Sequence, residues 1–483
     1  MKNSFAPINR IPSDVFSLFP EYLGEYDVDE GLISMSHVCR SWRESLIARP
    51  SLWARLDCAN AEKTRVYIER SKSSPLKLSL YKYGYAAFME DAILIVAPHV
   101  SRLRILRIED SLLQILIPHL SSPIHHLREL SIAFNCHPAP ILDTALFNGD
   151  LSSLCSLSLT GVITHLPWKN LSKLTTFELC PALEDKTPIT QLLDFFEGAH
   201  HLRDITLRHS IPTTSNAPPG RVVSLPCLKK LTISTEDPVH SVLLNHLSIP
   251  AGVSLTMEFV FYGDRSPLPD LLPKALENLG NIFPISSVDL FLDDLDKCVQ
   301  LDGPNGDLHM LGQWMDLDVD PEFTMDYQIL ESLSRFDLSG TQRLVVTQYE
   351  APTVDTVDKS APYHILSCMK DLRTLTLTHC NNLPFIVALD PAENPSRRVL
   401  CPRLEEFVLH VRQPKSLKIE ELKSMAKGRA SAGRKLSLIT IIGPREVMPG
   451  REIFELKKYV TQVDHIVKED PAKTRQRFRR WGK

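Results

Sequence analysis

The sequence contains no CxxC pair, no HExxH, no zinc-finger spacing of Cys and His and no GxSxG. Structural zinc sites, zinc proteases and serine hydrolases of the nucleophile-elbow type are therefore not expected. No uninterrupted apolar run approaches about 18 residues, the length a membrane-spanning helix needs. The start, MKNSFAPINRIPSD, has no apolar core of the kind a secretory signal carries, so a cytoplasmic or nuclear setting is expected. Charge of one sign is also missing: 54 basic residues meet 58 acidic ones, for a net charge of −4. That balance gives no global attraction to nucleic acid or to a membrane surface. The ten cysteines are scattered, and most are expected to be reduced core thiols.

Two stretches imitate ligand motifs and fail on spacing. MDLDVDPEFTMD alternates Asp316, Asp318 and Asp320, but an EF-hand loop begun there needs glycine where Pro321 stands and glutamate where Tyr327 stands. GRASAGRKLS, from Gly428 to Ser437, has Arg434 and Lys435 after its second glycine, where a phosphate loop needs lysine and then Ser or Thr. It reads as a flexible loop before the last strand. The pairs His125–His126 and His200–His201 sit at strand starts. No catalytic constellation and no cofactor follow from these residues.

What is abundant is proline, 35 residues in 483, set between short apolar runs. The pattern predicts many short elements. Near the N-terminus, Val15, Phe16, Phe19 and Leu23 form one apolar helical stripe behind Pro12 and Asp14, which suit a first turn. Pro20 interrupts it, and the acidic stretch Glu25 to Glu30 reads as a loop. A second helix begins at Leu32, Ile33 and Met35. Val38, Trp42 and Leu46 continue it at i, i+4, i+8 with Cys39 beside them, and Arg40, Arg43 and Glu44 fall on the other face. Pro50 ends this helix, because residue 49 is pushed out of the helical region. Trp53 follows, placed to fold back over the cluster. So few residues make a poor independent core, and the module is expected to borrow apolar surface from a partner. Core packing of both tryptophans is compatible with that.

Ile11-Pro12-Ser13-Asp14-Val15-Phe16, Leu23, Val38-Cys39-Arg40-Ser41-Trp42-Arg43 and Pro50-Ser51-Leu52-Trp53 together resemble the F-box motif. Its usual form is a Leu-Pro-x-Glu start, a Val-Cys-x-x-Trp helix and a terminal Leu-Trp. Ile11 replaces leucine, Asp14 replaces glutamate, Pro20 falls inside the first helix, and the Gly24 to Glu30 loop is long. The following LDCANAEKTRVYIERSKSSPLKLSL is similar to the segment after the F-box in large families from mushroom-forming fungi. The resemblance implies docking on a Skp-type linker protein and, through it, on a cullin, within an SCF ubiquitin ligase. Ile11, Pro12, Val15, Phe16, Leu23, Val38, Cys39 and Trp42 would carry that docking. It also implies a non-catalytic adaptor whose remaining chain holds a protein substrate, which the sequence does not identify.

After the module, Asn60 is placed to cap a helix through about Ser71, Ser73-Ser74-Pro75 breaks it, and Leu76, Leu78 and Leu80 alternate as a strand. A string of the form LxxLxL then recurs. It appears as LRILRI at Leu103, LRELSI at Leu127, LCSLSL at Leu154, LTTFEL at Leu174, LRDITL at Leu202 and LKKLTI at Leu228. It returns as LRTLTL at Leu372, LEEFVL at Leu404 and LSLITI at Leu436. The first six starts lie 24, 27, 20, 28 and 26 residues apart and the last three 32 apart. The leucine-rich-repeat period is about 20–29. One such repeat cannot bury its apolar face alone, so neighbours must stack. The extension LRTLTLTHCNNL, with Cys380 and Leu383, resembles the cysteine-containing class of these repeats. Ordinary strands of a non-solenoid α/β fold remain the alternative.

The expected fold is α/β: a three-helix F-box over 1–56, a helical linker and first strand over 57–80, and a degenerate leucine-rich-repeat solenoid over 81–465. Parallel strands would line the concave face, with helices or loops on the convex one, and Leu106, Ile108, Leu130, Ile132, Leu157 and Leu159 would turn inward. Between Ile233 and Leu372 the template fades, although SLTMEFVF and SSVDLFLDDL still read as strands, and insertions are expected to project from the arc. From Asp289 to Asp326 ten aspartates and Glu322 face one basic residue, Lys297. That run reads as a solvated loop face or as a contact for a basic substrate. The tail 466–483 carries six basic residues over 473–483. A solvated terminus, an import signal and a contact for an acidic partner all fit it. The rivals to the adaptor are a scaffold that binds partners without ubiquitination, and a solenoid-based enzyme or nucleic-acid binder.

Overall fold

The computed structural model describes residues 11–12, 15, 19, 28–81, 87–109, 112–135, 139–142, 146–149, 151–164, 170–182, 187–210, 217–218, 220–235, 240–261, 272–292, 296–314, 333–348, 360–380, 382–393, 398–412 and 417–468. The chain forms two compact units, Met1–Thr187 with Gln191–Ser210, and Pro188–Thr190 with Ile211–Lys483. Both are mixed α/β with mostly parallel strands.

In the first unit, helices α1 (Val28–Val38) and α2 (Arg40–Ile47) lead through a 3₁₀ turn at Pro50–Trp53 to strand β1 (Arg55–Leu56). Helix α3 (Ala61–Ser71) and strand β2 (Leu76–Leu80) follow. Asn60 caps α3 as its position predicts, its side-chain oxygen accepting from the amides of Glu62 at 2.8 Å and Lys63 at 3.1 Å. Then come α4 (Ala87–Val96), β3 (Leu103–Glu109), α5 (Leu112–Leu116), β4 (Glu129–Ala133), β5 (Ser156–Thr160), β6 (Thr176–Cys180), α6 (Ile189–Gly198) and β7 (Asp204–Arg208). Strands β1 to β7 pair in chain order, each parallel to the next.

The register explains the leucines. Leu78, Leu106, Leu130, Leu157, Phe177 and Ile205 are consecutive partners across six strands, and all are fully buried. Leu80, Ile108, Ile132, Leu159, Leu179 and Leu207 form a second such row. The six leucines and isoleucines expected to turn inward do so. Because strand side chains alternate faces, the residues between them form the opposite, solvent-facing side.

The repeat is also longer than LxxLxL. The amide of the first leucine of the string donates to the carbonyl three residues before it: Leu154 to Leu151 at 3.0 Å, Leu174 to Leu171 at 3.1 Å, Leu202 to Ala199 at 3.1 Å and Leu228 to Leu225 at 3.1 Å. The two residues inside this turn are exposed, except for half-buried Ser153. His125–His126 and His200–His201 occupy those exposed places, so they belong to turns ahead of the strands.

The second unit has β8 (Lys230–Thr235), α7 (His240–Leu244), β9 (Val253–Phe261), β10 (Ser287–Leu292), β11 (Asp296–Gly303), β12 (Gly306–Trp314) and β13 (Arg343–Gln348). It continues with α8 (Ser360–Cys368), β14 (Thr374–Thr378), α9 (Leu383–Leu389), β15 (Glu406–His410), α10 (Ile419–Ser431), β16 (Leu438–Gly443), α11 (Gly450–Leu456) and β17 (Gln462–Val467). The sheet order is β8-β9-β12-β11-β10-β13-β14-β15-β16-β17. Only β11 runs antiparallel to its neighbours. Residues 262–271, 315–332 and 349–359, where insertions are expected in the region of the fading template, lie outside the described residues. A hairpin, β11–β12, is woven into the sheet between β9 and β10. Gly306, at φ +128°, allows this: a Cβ there would lie 2.4 Å from the Val253 carbonyl oxygen. Buried Asn281 pins the joint by donating to the carbonyls of Val253 at 3.1 Å and Asp307 at 2.8 Å.

Other expectations change here. The acidic run from Asp289 is not a loop face over its first part, since Asp289, Asp302 and Asp307 lie on β10, β11 and β12; residues 315–326 lie outside the described residues. Gly428–Ser431, read as loop, is the last turn of α10. Gly428 sits there because a Cβ would come 2.8 Å from an Asp390 carboxylate oxygen. The next residue, Arg429, is fully buried and donates to the carbonyls of Leu400 at 2.8 Å and Cys401 at 3.0 Å. Strand β16 is followed by a further strand, β17. Of the nine described cysteines, all free, only Cys58, Cys380 and Cys401 are buried, fewer core thiols than expected. The tail beyond 468 lies outside the described residues.

Two predictions follow from this packing. Leu375 is fully buried between Leu344 and Phe407. Leu375→Ala should cost about 2–5 kcal/mol. Amide exchange should quicken first in β13, β14 and β15, because each repeat contacts mainly its neighbours. His240 is fully buried, with Nε2 3.0 Å from the Glu258 carbonyl oxygen and 3.2 Å from that of Ile233. Burial pushes its pKa down to about 4, against the carbonyl contacts that raise it. The unfolded chain therefore binds the proton first as pH falls. The His240 contribution is complete above about pH 6.5 and is lost progressively toward pH 4, by roughly 3 kcal/mol. Urea midpoints at pH 7.5 and 4.5 should show a smaller acid loss in His240→Gln than in the parent protein.

Candidate docking surface

The VCRSWRESLIARPSLW stretch is not one helix. Cys39 is extended, at φ −159° and ψ 169°, and separates α1 from α2. Its sulfur accepts from the Trp42 amide at 3.5 Å, and its carbonyl accepts from the Arg43 amide at 3.1 Å. The sulfur satisfies an amide that a helix start leaves open, and the carbonyl takes the first hydrogen bond of the helix. Arg43 Nε reaches back to the Ser36 carbonyl at 2.9 Å and satisfies an oxygen at the end of α1. The i, i+4, i+8 spacing of Val38, Trp42 and Leu46 therefore spans a break, and Cys39 is a cap in place of a stripe residue. The acidic stretch read as a loop is also already helical from Val28.

The break sorts the side chains. Leu32 and Leu46 are fully buried. Val38 is 57 % exposed, Val15 45 %, Phe19 38 % and Ile33 37 %. Among the residues expected to dock, Pro12, Val15 and Val38 are exposed, while Ile11, Cys39 and Trp42 are half-buried. Phe16 and Leu23 lie outside the described residues. Four large apolar side chains between residues 15 and 38 are thus more than a third exposed.

Trp53 folds back to α2 and also reaches beyond the helices that precede it. It is 1 % exposed, and its indole N–H donates to the Leu46 carbonyl at the end of α2, at 3.0 Å. Its other side meets α3: the Tyr67 ring stands edge-on at 5.2 Å, and the Arg70 guanidinium lies 4.3 Å from the ring centroid. The backbone continues at once into β1, and Lys77 of β2 donates to the Ala54 carbonyl at 2.8 Å. Trp53 therefore ties α2 to α3 and the first strands, a wider reach than the cover over the helical cluster that its position suggests. Arg49, at φ −110° and ψ 92° before Pro50, makes the bend that delivers it.

The solvent-facing side of each sheet carries paired polar groups. In the first unit Arg107 Nε lies 2.6 Å from Glu129, and Ser158 donates to Glu178 at 3.0 Å. In the second, Ser254 donates to Asp307 at 2.6 Å, and Asp302 accepts from Ser287 at 3.1 Å and Gln300 at 2.9 Å. Arg343 lies 3.3 Å from Asp289. Burial raises the Asp289 pKa, against the lowering by Arg343. Sequence reasoning missed this cluster because its members come from five strands and meet only through the woven hairpin.

Among the described residues no group of three or more His, Cys, Asp or Glu side chains is placed to hold a metal ion. No helix there is long and apolar enough to cross a membrane. No protein-family model matches the chain, and no curated protein matches it.

The junction predicts a distinct phenotype for its tryptophan. Trp53→Ala should cost about 3–5 kcal/mol. It should loosen α2, α3 and β1 together, read as faster amide exchange in all three. Trp53→Phe should recover much of the packing and lose only the hydrogen bond to Leu46.

Proposed function

We propose that this chain is a non-catalytic adaptor, the substrate-recognition subunit of an SCF-type ubiquitin ligase. The observation that carries the reading is the exposure of Val15 and Val38 at F-box motif positions, on a segment joined through Trp53 to a stack of parallel strands. Apolar side chains held outward on a firm base fit a surface completed by a Skp-type linker protein. The strand array would then be a leucine-rich-repeat solenoid that presents its solvent-facing side to a protein substrate. The adaptor supplies proximity: holding a substrate lysine near the charged conjugating enzyme raises its effective concentration.

A scaffold that binds the linker without ubiquitination is the rival reading, separated by co-purification with a cullin and by ubiquitin transfer to a captured protein. Nucleic-acid binding is disfavoured by Asp289, Asp302 and Asp307 on the strand face, since phosphate contacts need a basic field.

The test is a pull-down of the full chain with a linker protein. Pro12→Asp with Val15→Asp should remove at least about 90 % of the captured linker, because burying an unpaired carboxylate costs several kcal/mol. Far-ultraviolet dichroism and the melting temperature should stay near the parent values. Undiminished capture by the double variant would exclude docking through this surface.

A further inference from the structure

The first unit leaves basic groups without counter-charge along one rim of its sheet. Where the strands begin, the amide of Arg128 donates to the Arg104 carbonyl, Cys155 to Arg128, Thr175 to Cys155 and Arg203 to Thr175, each at 2.8 Å. These bonds set five residues in a row, one at the start of each strand from β3 to β7. Paired strands lie about 4.8 Å apart, so Arg104 and Arg128 are direct neighbours and Arg203 is about 14 Å beyond Arg128. All three arginines are exposed, as is Lys173 in the turn before β6. Among the described residues none of the four forms an ion pair or a side-chain hydrogen bond. Of the acids nearest along the chain, Glu129 is held by Arg107 at 2.6 Å, and Asp204 makes no ion pair with Arg203.

The second unit builds the corresponding row differently. From β13 to β16 the Arg373 amide donates to the Gln342 carbonyl at 2.8 Å, Glu405 to Arg373 at 2.9 Å and Ser437 to Glu405 at 2.9 Å. There the arginine has an acid for a neighbour, with Arg373 3.9 Å from Glu405, and in the turns ahead of the row Arg403 meets Asp371 at 2.9 Å. This place in the repeat therefore admits a self-neutralising pair, and the first unit puts a second arginine where the second unit has glutamate. Like charges side by side on neighbouring strands are destabilising. Carboxylates supplied from outside reverse the sign of that interaction, and a guanidinium fork takes each one through two parallel N–H bonds.

We propose that this rim binds an extended acidic segment of a partner protein, with two carboxylates on Arg104 and Arg128 and a third on Arg203. An extended chain advances about 3.3–3.6 Å per residue, so the third acid stands about four residues from the pair. The row fits a peptide better than a nucleic acid. Cys155 and Thr175 leave its middle uncharged, whereas a nucleic-acid strand carries a charge at every residue. The row also holds no phenylalanine, tyrosine or tryptophan on which a base would stack. The rim does not depend on the ligase reading, which rests on residues 11–53.

The experiment titrates the full chain, at low and constant ionic strength, against three fluorescein-labelled probes read by anisotropy. They are the peptide Gly-Asp-Asp-Gly-Ser-Gly-Asp-Gly, the same peptide with asparagine for each aspartate, and a short oligothymidylate. The acidic peptide should bind several-fold more tightly than either of the others, and added salt should weaken it. Arg104→Gln with Arg128→Gln should weaken that binding by about fivefold, and Arg203→Gln by about twofold. Arg373→Gln, at the place already paired within the chain, should leave the affinity unchanged. All these side chains are exposed, so the melting temperature should stay near the parent value in every variant. Equal binding of the asparagine peptide overturns the proposal, as does an affinity that survives the double change or falls equally in Arg373→Gln. Tighter binding of the oligothymidylate than of the acidic peptide overturns it in favour of a nucleic-acid surface.

Discussion

The structure depends on one constraint: a single strand with two or three apolar side chains on one face cannot bury that face alone. Parallel pairing in register solves it by placing like beside like. Leu106, Leu130, Leu157, Phe177 and Ile205 are one row of that solution, and Leu375, Phe407, Ile439 and Val463 are another. A shift of one residue would turn every one of these side chains to water, so the register is strongly specified. Everything on the solvent-facing side inherits its position from this core. Ser254, Asp307, Asp302, Ser287 and Arg343 stand in one line because their strands are held in register by neighbouring buried residues.

The same constraint governs the N-terminal helices. Two short helices broken at Cys39 have little interior of their own, and among the described residues Leu32 and Leu46 are their fully buried large apolar side chains. Trp53 supplies the attachment, with one face toward the last turn of α2 and the other toward Tyr67 and Arg70.

Polar groups follow where the strands put them. Neutral donors meet the aspartates of the woven hairpin, His309 lies 3.7 Å from Asp307, and Arg343 stands beside Asp289 on β10. A partner reading that side would meet carboxylates along the middle strands.

Much of this was legible in the sequence. Nine LxxLxL strings became nine buried, parallel strand segments, because period-two burial is a local property that composition displays directly. The cap at Asn60 and the bend before Pro50 were legible for the same reason: each is decided by a residue and its immediate neighbours. Strand β13 escaped notice because Thr341 stands where the template has leucine, although Leu344 and Val346 keep the pattern. The helix break at Cys39 was hidden because a thiol cap leaves the i, i+4 spacing intact. Only the tertiary structure decided where the hairpin goes, what Trp53 touches, and that the rings of His379 and His410 meet. Those are contacts between segments far apart in the chain, made by residues whose types are unremarkable singly. The sequence by itself determined which residues must be buried and with what period. The partners they are buried against were settled by the register of strands that no local pattern records.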